Sequence, residues 1–202
     1  MIFQDFLKKY RLFFICLLIA PVAAILTGCA RPNDDDMVDM LSKAYQCKWI
    51  KVDSYEKTDS LPGIWTYVAQ YDFNLRFREG QAGAYKFMKG LYNTVPGETD
   101  WKKVLQNPAA RAYIRENCSP PAQKIMEQIA IRSYMQLNDK KMSTIRIPLS
   151  VSMSGWAETS SGRGGWNMDM RRDKAKTDFV WSEPIPRKDL TAKIIAQSSS
   201  KK

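Results

Sequence analysis

Few side chains in this 202-residue chain can do covalent chemistry. Four cysteines stand at positions 16, 29, 47 and 118, and histidine is absent. A thiol can act as nucleophile, lipid acceptor, metal ligand or half of a disulfide. Without an imidazole, neither Cys-His nor Ser-His-Asp catalysis can be assembled, and His-ligated zinc, iron or copper is excluded. No Cys-x-x-Cys spacing occurs, which argues against redox catalysis. Among the carboxylates, Glu79, Glu98, Asp100 and Glu116 are scattered singly near expected helix ends, with nothing to pair two of them across a cleft as glycoside hydrolysis requires. Asp34, Asp35, Asp36 and Asp39 are clustered but lack the glycine hinge and distal glutamate of a calcium loop, so they read as solvated charge. Gly162-Arg163-Gly164-Gly165 is followed by Trp166, not by the Lys-Ser/Thr pair of a phosphate loop, and reads as a hairpin connection. No catalytic residue, metal or cofactor is expected.

The start of the chain carries a processing signal. Lys8, Lys9 and Arg11 precede an apolar run over residues 12–25, broken only by Pro21, and the run ends at Leu26-Thr27-Gly28-Cys29. About 15 apolar residues is short for a spanning helix, which needs roughly 20. A short inner-membrane anchor with an ordinary Cys29 is the competing reading. The four residues Leu26 to Cys29 resemble the lipobox of bacterial lipoprotein precursors. That resemblance implies a diacylglyceryl thioether on Cys29, cleavage after Gly28 and acylation of the new amino group. Three acyl chains anchor stably where one would be marginal. Ala30, not Asp, follows the cysteine, which in the enterobacterial pattern implies the outer membrane, periplasm-facing, ahead of the inner membrane.

With Cys16 in the signal and Cys29 lipidated, Cys47 and Cys118 remain as an even pair bound for an oxidising compartment. Joined, they would close a loop of about 70 residues, worth roughly 4 kcal/mol by the chain-entropy argument. The alternative is two buried thiols that behave as small hydrophobes. A structural disulfide is the favoured reading, and it would clamp the helical layer onto the sheet.

Charge is the next unusual feature. Lys and Arg number 31 against 21 Asp and Glu, a formal +10; removing residues 1–28 leaves +8. Of that excess, 13 basic against 6 acidic residues lie from Lys140 onward, densest at Arg171-Arg172-Asp173-Lys174-Ala175-Lys176. A surface of Arg171, Arg172, Lys174 and Lys176 would suit anionic headgroups, lipopolysaccharide, acidic glycan or an acidic protein. A solvated hairpin turn and loose tail is the plainer reading. Nucleic acid is not an expected partner for a membrane-tethered periplasmic protein.

The periodicity supplies the elements that would position these groups. Apolar residues at helical spacing predict a helix over residues 36–46, followed by a short strand over 47–52 and a turn-rich break over 59–63. Residues 64–78 alternate with period two. Trp65, Tyr67, Ala69, Tyr71, Phe73, Leu75 and Phe77 fall on one face, which predicts a sheet packed on one side and paired antiparallel. The aromatic stripe Trp65, Tyr67, Tyr71, Phe73 is either core or a ligand wall, with core the commoner use. Helices follow over 81–92, from a Thr99 cap, from Asn107-Pro108 to Asn117, and from Ser119-Pro120 to about Leu137. Strands return over 145–153, where Pro148 implies an edge or a bulge, over 166–170, and over 177–181. A short helix over 188–196 and a frayed tail close the chain.

This order predicts an α+β domain: an antiparallel sheet with helices packed on one face. Phe179-Val180-Trp181-Ser182-Glu183-Pro184-Ile185-Pro186 resembles the closing strand of NTF2-like or cystatin-like domains, which implies a curled roll and nothing about function. The expected organisation is a signal peptide (1–28), a polar tether (29–36), one periplasmic domain (37–186) and a weakly structured basic tail (187–202). The expected function is a membrane-anchored envelope lipoprotein. It would be a non-enzymatic interaction or assembly module with an envelope protein partner, accessory to a secretion, conjugation or pilus apparatus. The competing functions are a periplasmic ligand-binding or inhibitor lipoprotein using the aromatic face of residues 64–78, and an enzyme using Asp/Glu acid-base chemistry.

Overall fold

A computed structural model describes residues 32–62, 66–162, 165–170 and 173–188. The fold is α+β. A curled, five-stranded antiparallel sheet contains β1 (Ile50–Pro62), β2 (Thr66–Phe77), β4 (Pro148–Gly162), β5 (Gly165–Met170) and β6 (Lys174–Trp181). Helices α1 (Asp34–Ala44), α2 (Gly80–Thr94), α3 (Trp101–Gln106), α4 (Pro108–Arg115) and α5 (Pro120–Asn138) accompany it. A two-residue pair, β3 (Thr144–Ile145) with β7 (Ile185–Pro186), forms a second small sheet.

The middle of the sheet is β2 against β4, in unbroken register from Thr66↔Ser160 to Arg76↔Ser150. On β2 the period of two becomes burial: Tyr67, Ala69, Tyr71, Phe73, Leu75 and Phe77 are all buried, while Gln70 and Arg76 are exposed. Helices α2 and α5 pack against these central strands, and α1 packs against β1. Phe87, Met88 and Leu91 of α2 and Ile125, Met126, Ile129, Ala130, Ser133 and Tyr134 of α5 supply the facing side of the core. Burying each large apolar side chain contributes about 1.5–3 kcal/mol. Gly90 lets α2 and α4 touch, because a Cβ there would lie 2.1 Å from the Tyr113 hydroxyl.

Several local expectations change. The break expected over 59–63 is strand through Pro62, since β1 runs on in a ladder from Asp59↔Gln70 to Pro62↔Tyr67. Polar residues and proline are tolerated there because, among the described residues, β1 pairs only with β2 and its other edge carries no ladder bonds. Cys47 and Lys48 precede the strand, which starts at Ile50. Pro148 lies on a central strand, not an edge. It is the first residue of β4, beyond the β2 ladder, and pairs with Trp181 of β6 where the register shifts before Ser150, so of the two expectations the bulge, not the edge, matches. The pairing of β4 with β5 runs up to Gly162↔Gly165, which matches the hairpin connection read there. The last strand begins earlier than Thr177, at Lys174. The Pro-rich exit returns as β7 to pair with β3.

Helix starts follow cap chemistry more closely than composition. Asp100, not Thr99, caps α3, its carboxylate accepting from the Lys102 N–H at 2.9 Å. Asn107 caps α4 as expected, accepting from the Ala109 N–H at 2.8 Å. Asn33 and Asp36 form a capping box on α1, so residues 33–36, read above as tether, are the cap and first turn of a helix. Pro32 is already buried.

Candidate functional site

Cys47 and Cys118 are joined, with Sγ–Sγ 2.05 Å across 71 positions of sequence. The bond sits where three chain segments meet. Residues 47 and 118 form an isolated antiparallel bridge. Around it the Lys48 N–H donates to Asn117 O at 2.9 Å, Ser119 N–H to Gln46 O at 2.7 Å and Arg78 N–H to Trp49 O at 2.9 Å. Ser119 makes no cap bond to α5; its hydroxyl donates instead to Ala44 O at 2.6 Å, fixing the start of α5 to the end of α1. The disulfide therefore joins helical-layer segments to the entry of β1, as the sequence implied.

A cleft of about 520 Å³ opens beside the disulfide. The described residues lining it include Lys48, Arg78 and Arg115, against the single acid Glu116. A second cleft of about 240 Å³ shares Lys48 and Arg78 and reaches Trp49 and the Glu79–Lys86 ion pair. Arg78 is held by a 3.3 Å hydrogen bond from Nε to Cys47 O, and the Lys48 ammonium lies 4.9 Å from the Trp49 ring centroid. Among the described residues, Lys48, Arg78 and Arg115 enter no salt bridge. Sequence reasoning missed this group, because positions 48, 78 and 115 are far apart and become neighbours only through the bridge at Cys47 and Cys118.

A second cluster was also missed. The carboxylate of Asp173 accepts from both the Tyr71 hydroxyl at 2.6 Å and the Tyr45 hydroxyl at 2.8 Å. It occupies the place of a side chain on Gly155: a Cβ there would lie 2.0 Å from Asp173 Oδ1 and 3.0 Å from the Tyr71 hydroxyl. Burial, reinforced by the charge and hydrogen bond of Asp173, raises the Tyr45 phenol far above its ordinary value. Tyr71 is raised in the same way, by burial first and then by its hydrogen bond to Asp173. Burial, with Asp34 and Tyr67 nearby, pushes Tyr55 up to about 12. The Tyr45 and Tyr71 phenols stay protonated donors to Asp173, so the arrangement is a clamp that fixes the start of β6 onto α1 and β2. The available signal was one acid inside a run of four cations.

Of the expected basic surface, Lys174 is exposed at the start of β6 and lines a cavity of about 490 Å³ with Gln70, Asp72 and Trp156. Arg171 and Arg172 lie outside the described residues, as does the side chain of Lys176. Three of the four residues of the expected aromatic wall are buried. Tyr67, Tyr71 and Phe73 are 3%, 1% and 2% exposed and belong to the core. Trp65 and Cys29 lie outside the described residues. Among the described residues no group of three or more His, Cys, Asp or Glu could hold a metal ion, and no helix is long and apolar enough to cross a membrane. Comparison of the chain with protein-family models, curated proteins and solved structures gave no match.

Proposed function

We propose that this chain is a lipid-anchored envelope lipoprotein that works as a non-enzymatic interaction or assembly module. Its site in the cell is the outer membrane, facing the periplasm, as an accessory to a multiprotein apparatus such as a secretion, conjugation or pilus system. The observation that carries this reading is the spacing between Leu26-Thr27-Gly28-Cys29 and the folded domain. Cys29 stands three positions ahead of Pro32, which is already buried, and Asn33 caps α1. Three residues reach at most about 10 Å. A lipid on Cys29 would hold the domain against the membrane surface, with its orientation restricted and its outer faces presented to neighbours. The disulfide supports an oxidising compartment.

The test is crosslinking in intact cells of the full, lipidated protein, with captured partners identified by mass spectrometry. An envelope protein recovered at near-stoichiometric level is the expected result. Recovery of no envelope protein at that level would overturn the reading.

A further inference from the structure

We propose that the two joined clefts beside the Cys47–Cys118 disulfide form the docking groove for an extended acidic segment of a protein partner. This rests on reading the chain as an interaction module and names the surface that module would use. Three features support it. Lys48, Arg78 and Arg115 come from three separate segments, and the disulfide, its bridge and the surrounding backbone hydrogen bonds hold those segments in place. Their charge is therefore gathered before any partner arrives, which lowers the ordering cost of binding. All three cations line the cleft of about 520 Å³, and the cleft of about 240 Å³, which shares Lys48 and Arg78, extends the site toward Trp49 and the Glu79–Lys86 ion pair. An extended chain with carboxylates along it matches that distribution better than a single small anion does. Trp49 at one end offers the same chain an apolar contact.

Position separates a protein from a lipid surface. The groove lies past the C-terminal end of α1, whose 11 residues span about 16 Å. Among the described residues, the exposed side chains at the other end, next to the proposed anchor, are Asn33, Asp34 and Asp35. From the anchor the charges run Arg31, Asp34, Asp35 and Asp36, a net acidic stretch, and the cationic groove stands one helix length away.

The experiment uses the full chain in detergent micelles, titrated with a short fluorescent peptide of alternating Glu and Gly and read by anisotropy. Saturable binding is expected, weakened about tenfold or more in the double variant Lys48→Gln, Arg115→Gln and unchanged in Lys174→Gln. Arg78→Gln should weaken it similarly. All four side chains are exposed, so unchanged melting temperatures will show that the fold is intact. Absence of saturable binding overturns the proposal, and so does an equal loss in Lys174→Gln, which would assign binding to net charge alone. Displacement of the peptide by millimolar inorganic phosphate would overturn it in favour of a small-anion site. Preferential binding to phosphatidylglycerol vesicles would overturn it in favour of a membrane surface. The peptide titration does not depend on whether Cys29 carries lipid, and the vesicle arm is read as the loss of binding in Lys48→Gln, Arg115→Gln, which acyl insertion would not give, so failure of the groove and failure of the anchor are distinguishable.

Discussion

The Tyr71 hydroxyl donates to Asp173 at 2.6 Å, tying the middle of β2 to the start of β6 across 102 positions of sequence. With Tyr45 donating to the other carboxylate oxygen at 2.8 Å, one acid holds α1, β2 and the β5–β6 connection together. Asp173→Ala would leave two largely buried hydroxyls without their acceptor. A loss of about 2–4 kcal/mol is expected, from the cost of unsatisfied groups and of hydrogen bonds to a charged acceptor. Urea denaturation checks it, and a loss below about 0.5 kcal/mol, the usual range for a surface substitution, would show that the clamp carries no stability.

Gly155 should be intolerant of even one methyl group. A Cβ there meets Asp173 Oδ1 at 2.0 Å and the Tyr71 hydroxyl at 3.0 Å, so Gly155→Ala must expel the carboxylate. Its destabilisation should match that of Asp173→Ala, and the double variant should cost little more than either single one. Additive losses in a double-mutant cycle would separate the two positions.

The covalent link makes an independent prediction. Replacing Cys47 and Cys118 together by serine opens a loop of 71 positions, worth about 4 kcal/mol by the chain-entropy argument. Calorimetry in oxidising buffer should show a markedly lower melting temperature than for the parent. Reductant should lower the parent's melting temperature and leave the double variant unchanged.

Stability should also fall at alkaline pH. Unfolded tyrosines release their proton near pH 10, whereas in the folded chain Tyr55 is pushed up to about 12 and Tyr45 and Tyr71 higher still. Above pH 10 the unfolded state binds fewer protons than the folded state, so stability declines as pH rises through the folded values. Below about pH 10 this contribution is fully present. Denaturation measured from pH 8 to 11 should give a flat region and then a descent, with a shallower descent for Tyr55→Phe.

Long periodic segments were legible in the sequence. The burial stripe of β2, the inward face of α5 and the Asn107-Pro108 helix start follow from local pattern and cap chemistry. The extent of β1 was not, because Asp59, Ser60 and Pro62 carry turn chemistry and are strand only through pairing with β2. The central place of β4 was hidden for a related reason. Pro148 signals an edge or a bulge, and it stands beyond the β2 ladder at the register shift with β6. Neither candidate cluster has a local signature. Asp173 looks like one acid diluting a basic run, and its two tyrosines lie on α1's C-terminal cap and on β2. Lys48, Arg78 and Arg115 look like three ordinary surface cations until the disulfide gathers them.

The anchor at Cys29 is the central claim, and metabolic labelling with palmitate in the native host tests it most directly. The parent chain should incorporate label and fractionate with membranes. Cys29→Ser should incorporate none and accumulate as an uncleaved precursor of lower mobility. Equal labelling and equal mobility of the two proteins would contradict the account.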